Sequence, residues 1–219
     1  MSILPSASAG RLRGLYAITP DEPDSAVLAE KLRAALAGGA RVVQYRNKTT
    51  DKPLRRTQAV ALLSLCRAAG ATFIVNDDLA LALEINADGL HLGRDDGNIS
   101  AARHALGPAR LLGASCYNRL ELAQRALEQG ADHVAFGSVF ASPTKPGAAR
   151  APLTLFAEAR RQFDAPLIAI GGITVDNARE VITAGADAIA VISALFNAPR
   201  IEDRAREFAT LFNSQSSPS

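Results

Sequence analysis

The sequence has no tryptophan, and aromatic residues fill only 5% of its 219 positions. That argues against a surface of stacking platforms for nucleic-acid bases. It has no excess of charge of one sign either. Its 24 Lys and Arg stand against 22 Asp and Glu, a formal net charge of +2. A dedicated nucleic-acid binder usually carries a basic stripe, so no nucleic-acid partner is expected. Cysteine is nearly absent: Cys66 and Cys116 lie far apart and not in a metal-ligand spacing. This excludes a disulfide scaffold and fits a reducing cytosol. No apolar run approaches the roughly 18 residues that cross a bilayer. Residues 1–10 are rich in Ser and Ala but lack the basic start and apolar stretch of a secretory signal. A cytoplasmic protein without membrane contact is the expectation.

What is present is a repeat. Short apolar, β-branched runs alternate with stretches rich in Ala, Leu, Arg and Glu at helical period. Eight runs read as strands: residues 14–19, 42–45, 72–76, 89–92, 111–115, 133–137, 167–171 and 188–193. The helix candidates are residues 25–37, 53–69, 78–85, 100–106, 119–129, 153–163, 175–184 and 200–212. Several strands follow one small phrase: Gly38-Gly39-Ala40, Gly70-Ala71, Gly130-Ala131-Asp132 and Gly185-Ala186-Asp187. Glycine there closes the preceding helix in a left-handed turn. Repeated βαβ units give parallel strands with right-handed crossovers. Eight of them fit an α/β protein of the closed (β/α)8 TIM-barrel type better than an open sheet. The expected organisation is one catalytic domain over residues 11–212, with disordered tails at 1–10 and 213–219.

In such a barrel, chemistry belongs at the C-terminal ends of the strands. Polar residues do gather there. The second strand runs out through Gln44, Tyr45, Arg46, Asn47 and Lys48, of which Gln44, Arg46 and Lys48 share a side by alternation. Two cations and an amide suit a polyphosphate; a solvated basic loop is the other reading. The third strand ends Asn76-Asp77-Asp78 and the fourth Gly93-Arg94-Asp95-Asp96. Acids at adjacent strand mouths can hold a hard cation such as Mg²⁺, although helix capping and turns use some of them. His91 reads as a core histidine. Ser115 ends the fifth strand without a GxSxG elbow or a base to activate it, so it suits hydrogen bonding to a phosphate. Cys116 reads as an apolar packer. The loop after the sixth strand carries Ser142-Pro143-Thr144-Lys145, donors that suit phosphate. Gly171-Gly172 after the seventh strand and Ile192-Ser193 on the eighth suit a backbone phosphate cradle. Two anion sites emerge, one rich in cations and acids, the other built from backbone.

Taken together, these motifs resemble the thiamine-phosphate synthase family: Leu15-Tyr-Ala-Ile-Thr19, Gln44-x-Arg-x-Lys48, Val75-Asn-Asp77, Gly89-Leu-His-Leu-Gly93 with Asp96, Gly113-x-Ser115, Ser142-Pro-Thr-Lys145, Ile170-Gly-Gly172 and Val191-Ile-Ser193. The resemblance implies a transferase of thiamine biosynthesis on a TIM barrel. It would join a hydroxymethylpyrimidine diphosphate to a thiazole monophosphate, releasing pyrophosphate. It assigns Gln44, Arg46, Lys48, Asn76, Ser115 and Lys145 to the pyrimidine diphosphate, with Tyr45 and Asn47 in the same segment. Arg46, Lys48, Ser115 and Lys145 would be the catalytic set. It assigns Asp77 and Asp96 to Mg²⁺. Ser142, Pro143, Thr144, Gly172, Ile192 and Ser193 would bind the thiazole phosphate. Arg94 and Asp95 depart from the Gln and Glu common in the family. The competing readings are a related thiazole tautomerase, a sugar-phosphate isomerase and a ligand sensor without turnover. The partners expected are small-molecule substrates; the oligomeric state stays open, a homo-oligomer included.

Overall fold

The computed structural model describes residues 10–93, 96–141 and 150–213. Eight parallel strands close on themselves in chain order: β1 (Gly14–Ile18), β2 (Val42–Tyr45), β3 (Thr72–Asn76), β4 (Gly89–Leu92), β5 (Leu111–Tyr117), β6 (His133–Phe136), β7 (Leu167–Ile170) and β8 (Ala188–Val191). The helices are α1 (Ser25–Ala37), α2 (Lys52–Ala68), α3 (Leu79–Glu84), α4 (Ile99–Leu106), α5 (Leu120–Glu128), α6 (Thr154–Gln162), α7 (Val175–Thr183), α8 (Ser193–Phe196) and α9 (Ile201–Asn213). The (β/α)8 expectation holds, with local differences. Strands β1 and β6 to β8 stop one or two residues short of the expected ends, and β5 runs two residues further, to Tyr117. Helix α8 was not foreseen; four residues are too few to show a helical period.

The alternation of each strand sorts its side chains into two cores. Tyr16, Ile18, Val42, Ile74, Leu111, Ala135, Ile168 and Ala190 fill the barrel interior. Val43, Tyr45, Phe73, Val75, Leu90 and Leu112 face the helices α1 to α4. Helix starts are fixed by side-chain caps. Asp24, Asp51, Asp78 and Asn98 each accept a main-chain N–H of the first turn of α1, α2, α3 and α4.

The N-terminal face of the barrel carries a recurring staple. Asp88, Asp132 and Asp187 each precede an even-numbered strand. Their Oδ2 atoms accept from Phe73 N at 2.8 Å, Leu112 N at 2.7 Å and Leu167 N at 2.8 Å. Arg103 and Arg160 donate to Asp132 and Asp187 in turn. The Asp of the Gly-Ala-Asp phrase thus ties two neighbouring strands at their starts.

Two histidines lie inside the barrel. His133 is fully buried and His91 is 6% exposed, with ring centroids 5.6 Å apart. Gly113 makes room for them: a Cβ there would stand 2.2 Å from His133 Nε2 and 2.5 Å from His91 Nδ1. Burial disfavours the imidazolium, so His91 is pushed down to about 4 and His133 well below the ordinary range. Both rings are neutral at physiological pH and supply no cation to the site.

Candidate functional site

The mouths of β2, β3 and β4 adjoin, because β2 pairs with β3 and β3 with β4. Gln44 reaches the barrel interior, where its Nε2 donates to Tyr16 Oη at 2.9 Å. Beyond it, Arg46 Nη1 donates to Asp21 Oδ2 at 3.0 Å, and Lys48 N donates to Asp21 Oδ1 at 2.9 Å. Thr19 and Arg46 exchange two hydrogen bonds, so the end of β1 splints the end of β2. Asp21 was missed by sequence reasoning; it lies in a loop with no periodicity to mark it.

Asp77 is the hub. Its backbone is left-handed, with φ of 63°. Its Oδ2 accepts from Lys48 Nζ at 2.9 Å and from Asn76 Nδ2 at 2.6 Å. Its Oδ1 accepts from Gly93 N at 3.3 Å. Asp96 closes on the same point: a Cβ at Gly93 would stand 2.2 Å from Asp96 Oδ2 and 3.9 Å from Asp77 Oδ1. Both carboxylates therefore border one small cradle that a side chain would fill. Asp78 does not join them. It caps α3 through Leu81 N and pairs with Arg55, which is the capping use foreseen for some of these acids. Among the described residues no group of three or more His, Cys, Asp or Glu could hold a metal. Two carboxylates fit Mg²⁺ none the less, since that ion is commonly held by one or two, with water and substrate phosphates completing its shell.

Ser115 Oγ lies 3.0 Å from His91 Nε2, a hydrogen bond that fixes the hydroxyl at the mouth of β5. Cys116 points the other way; burial pushes its thiol up to about 12, so it is no nucleophile. The side chains of Tyr45 and Asn47 turn toward α2. Tyr45 Oη and Asn47 Nδ2 both donate to Gln58 Oε1 of α2 at 2.9 Å. Alternation turns them away from Gln44 and Arg46, so their side chains brace α2 and do not line the mouth.

On the far side, β7 pairs with β8, which brings Gly172 and Ile192-Ser193 to neighbouring strand ends. Gly172 O accepts from Asn177 Nδ2 at 3.1 Å, and Thr174 caps α7. Ile192 O accepts from Leu195 N and Phe196 N as α8 begins. Ser142, Pro143, Thr144, Lys145, Arg94 and Asp95 lie outside the described residues.

Gly172 has a second constraint besides ligand access. Its φ is +67°, and a Cβ would stand 2.5 Å from Ala141 O and 2.8 Å from Phe140 C. The loop after β6 packs directly on it. Gly172→Ala is therefore expected to destabilise the fold by about 1–3 kcal/mol, from left-handed strain and overpacking. Urea unfolding checks this; an unchanged midpoint would mean the loop does not rest on Gly172.

The fold is a TIM barrel whose C-terminal mouth gathers Arg46, Lys48, Asp77 and Asp96. The family model described as thiamine monophosphate synthase matches residues 15–195. A thiamine-phosphate synthase of Aromatoleum aromaticum is 55% identical over 203 residues, covering 93% of this chain and 98% of its own. One from Chromobacterium violaceum is 56% identical over 205 residues, covering 94% and 99%. A solved thiamine phosphate pyrophosphorylase from Pyrococcus furiosus superposes with a TM-score of 0.86 at 34% identity, covering 96% of this chain and all of its own. The chain belongs to the thiamine monophosphate synthase family, and its activity is that of a thiamine-phosphate synthase, a transferase of thiamine biosynthesis. These relatives lend no support to the tautomerase reading. No helix among the described residues is long and apolar enough to cross a membrane.

Proposed function

We propose that the strand-end site joins 4-amino-2-methyl-5-(diphosphooxymethyl)pyrimidine to 4-methyl-5-(2-phosphooxyethyl)thiazole. The products are thiamine monophosphate and pyrophosphate. The observation that carries this reading is the Lys48–Asp77–Asn76 network beside Asp96 and Arg46, cations and hard oxygens meeting at adjoining mouths.

Gln44, Arg46, Lys48, Asn76, Ser115 and Lys145 hold the pyrimidine diphosphate. Gly172, Ile192 and Ser193, with Ser142, Pro143 and Thr144, hold the thiazole phosphate. Asp77 and Asp96 would hold Mg²⁺, which when bound would neutralise charge on the diphosphate. Arg46 and Lys48, held by Asp21 and Asp77, stabilise the same charge from this chain's own residues, and Lys145 contributes a third cation. The carbon–oxygen bond at the pyrimidine methylene breaks, and its electron pair leaves with pyrophosphate. The aminopyrimidine ring donates into the methylene cation. The thiazole nitrogen then gives its lone pair to form the carbon–nitrogen bond. No protein nucleophile takes part, in keeping with the neutral His91 beside Ser115 and the raised Cys116 thiol. Positioning of the two substrates supplies the rest. The two buried thiols fit a reducing cytoplasm as the place of work.

Removing one cation separates the two subsites. A charge-assisted hydrogen bond contributes about 1.5–3 kcal/mol, or roughly 10- to 150-fold in binding. Lys48→Ala is expected to raise KM for the pyrimidine diphosphate by at least about tenfold. KM for the thiazole phosphate should move by less than about twofold. Steady-state kinetics with each substrate varied in turn measures both. Equal rises for the two substrates would overturn the division of the site.

A further inference from the structure

The barrel's opposite face holds a feature that the reaction does not use. A concavity of about 750 Å³ opens at its N-terminal end, between the start of β1, the turn after α1 and helix α9. Among the described residues Arg11, Arg13, Arg41 and Arg206 line it, and no Asp or Glu does. Arg206 is paired with Glu202 and Asp203, and Arg11 only loosely with Asp88, at 3.9 Å. Among the described residues Arg13 and Arg41 have no ion-pair partner.

The staple of the other sectors explains why this one is open. Asp88, Asp132 and Asp187 each stand just before an even-numbered strand and accept the N–H of the preceding strand. The residue in the same place before β2 is Arg41. Its main chain keeps the pattern: Arg41 N donates to Leu15 O at 3.2 Å, as Asp132 N does to Leu112 O at 2.7 Å. Leu15 is thus the counterpart of Phe73, Leu112 and Leu167. Within a strand, a residue's N–H and C=O point to the same side, so the Leu15 N–H faces position 41. A guanidinium has no acceptor to offer it. Where three sectors place a carboxylate, the fourth places a cation, and Leu15 itself lines the concavity.

The geometry points to an anion site on this face, for a diphosphate group held by Arg13 and Arg41. Their planar forks match phosphate oxygens bidentately. The Leu15 N–H faces the place that a carboxylate oxygen takes in the other sectors. The volume lies within the range of small-molecule pockets, so the group can be free diphosphate or the diphosphate of an organic ester. This site is separate from the one that performs the transfer and does not rest on how that one works.

Calorimetric titration of the full chain with inorganic diphosphate, in Mg²⁺-free buffer, tests it. The wild-type chain should take up two diphosphates, one at each end of the barrel. Arg13→Ala with Arg41→Ala should lose one of them while turnover stays within about twofold, which also shows that the variant folds. Lys48→Ala should weaken the other alone. Arg41→Asp restores the carboxylate: it should abolish the uptake lost in the double variant and raise Tm by about 2–4 °C, the shift expected from one regained hydrogen bond. Uptake at the N-terminal face should also weaken with salt, because the arginines are exposed. A parallel titration with ADP distinguishes the sources: tighter uptake than of inorganic diphosphate at that face assigns an organic diphosphate, the reverse the free anion. A double variant that binds diphosphate with wild-type stoichiometry and affinity would overturn the proposal. So would a wild-type chain with a single site that Lys48→Ala removes. If instead the single site is the one lost with Arg13 and Arg41, this inference stands and the assignment of Lys48 to a diphosphate fails.

Discussion

Asp77→Asn and Asp96→Asn should each lower turnover by about two to four orders of magnitude, equivalent to about 3–5 kcal/mol of lost transition-state stabilisation. The substitutions are mild in shape. Asp77 sits at φ of 63°, a left-handed conformation that Asn tolerates as readily as Asp. An amide keeps one acceptor oxygen, enough for Lys48 and Asn76 at Oδ2, and gives up the longer 3.3 Å bond from Gly93 N at Oδ1. What is removed is one negative charge from a cradle bordered by two. A divalent cation there loses half of its protein charge, and the departing pyrophosphate loses the cation. The requirement for Mg²⁺ should rise with the fall in rate, and excess metal should recover part of it. Turnover measured against Mg²⁺ concentration decides. Wild-type rates in both variants at limiting metal, or full activity in excess chelator, would remove Asp77 and Asp96 from any metal role.

A substrate whose pyrimidine methyl is replaced by trifluoromethyl should react far more slowly than the natural one. In the proposed site Arg46, Lys48 and two acids suited to a metal would surround the departing group, and among the described residues no base stands beside Ser115 other than a neutral, buried histidine. Such an arrangement assists the leaving group more than the attacking one. Carbon–oxygen cleavage then runs ahead of carbon–nitrogen formation, and positive charge builds on the methylene. An electron-withdrawing group opposes that charge, while a methoxy group supports it. The change in size is modest, so the loss should appear in the single-turnover rate and not in binding. A drop of about a hundredfold or more corresponds to roughly 3 kcal/mol of lost cation stabilisation. A trifluoromethyl substrate as fast as the natural one would favour direct displacement by the thiazole nitrogen.

The barrel was legible because its signals are local and repeated. β-Branched runs recur along the chain, and the Gly-Ala-Asp phrase before β6 and β8 proves to be a working part, the staple of Asp132 and Asp187. The strand ends were legible by alternation, which put Gln44, Arg46 and Lys48 on one side and His91 in the core. The same rule, applied strictly, turns Tyr45 outward. What it does not show is the destination of that side chain, Gln58, which lies on another element. Asp21 and Arg46 meet across 25 positions of sequence with no pattern linking them. His133 went unnoticed for another reason. Its meaning comes only from the missing side chain of Gly113, which lets two rings share the barrel centre. Helix α8 is too short for periodicity to reveal.

The most direct measurement is a single turnover. The purified chain, in excess over 4-amino-2-methyl-5-(diphosphooxymethyl)pyrimidine, is mixed with the thiazole phosphate, with and without Mg²⁺, and both products are quantified over time. The expected result is thiamine monophosphate and pyrophosphate rising together in equal amounts, with the metal present and both substrates supplied. Pyrophosphate without thiamine monophosphate, or no product at all with the metal and both substrates, would contradict a site built to join them.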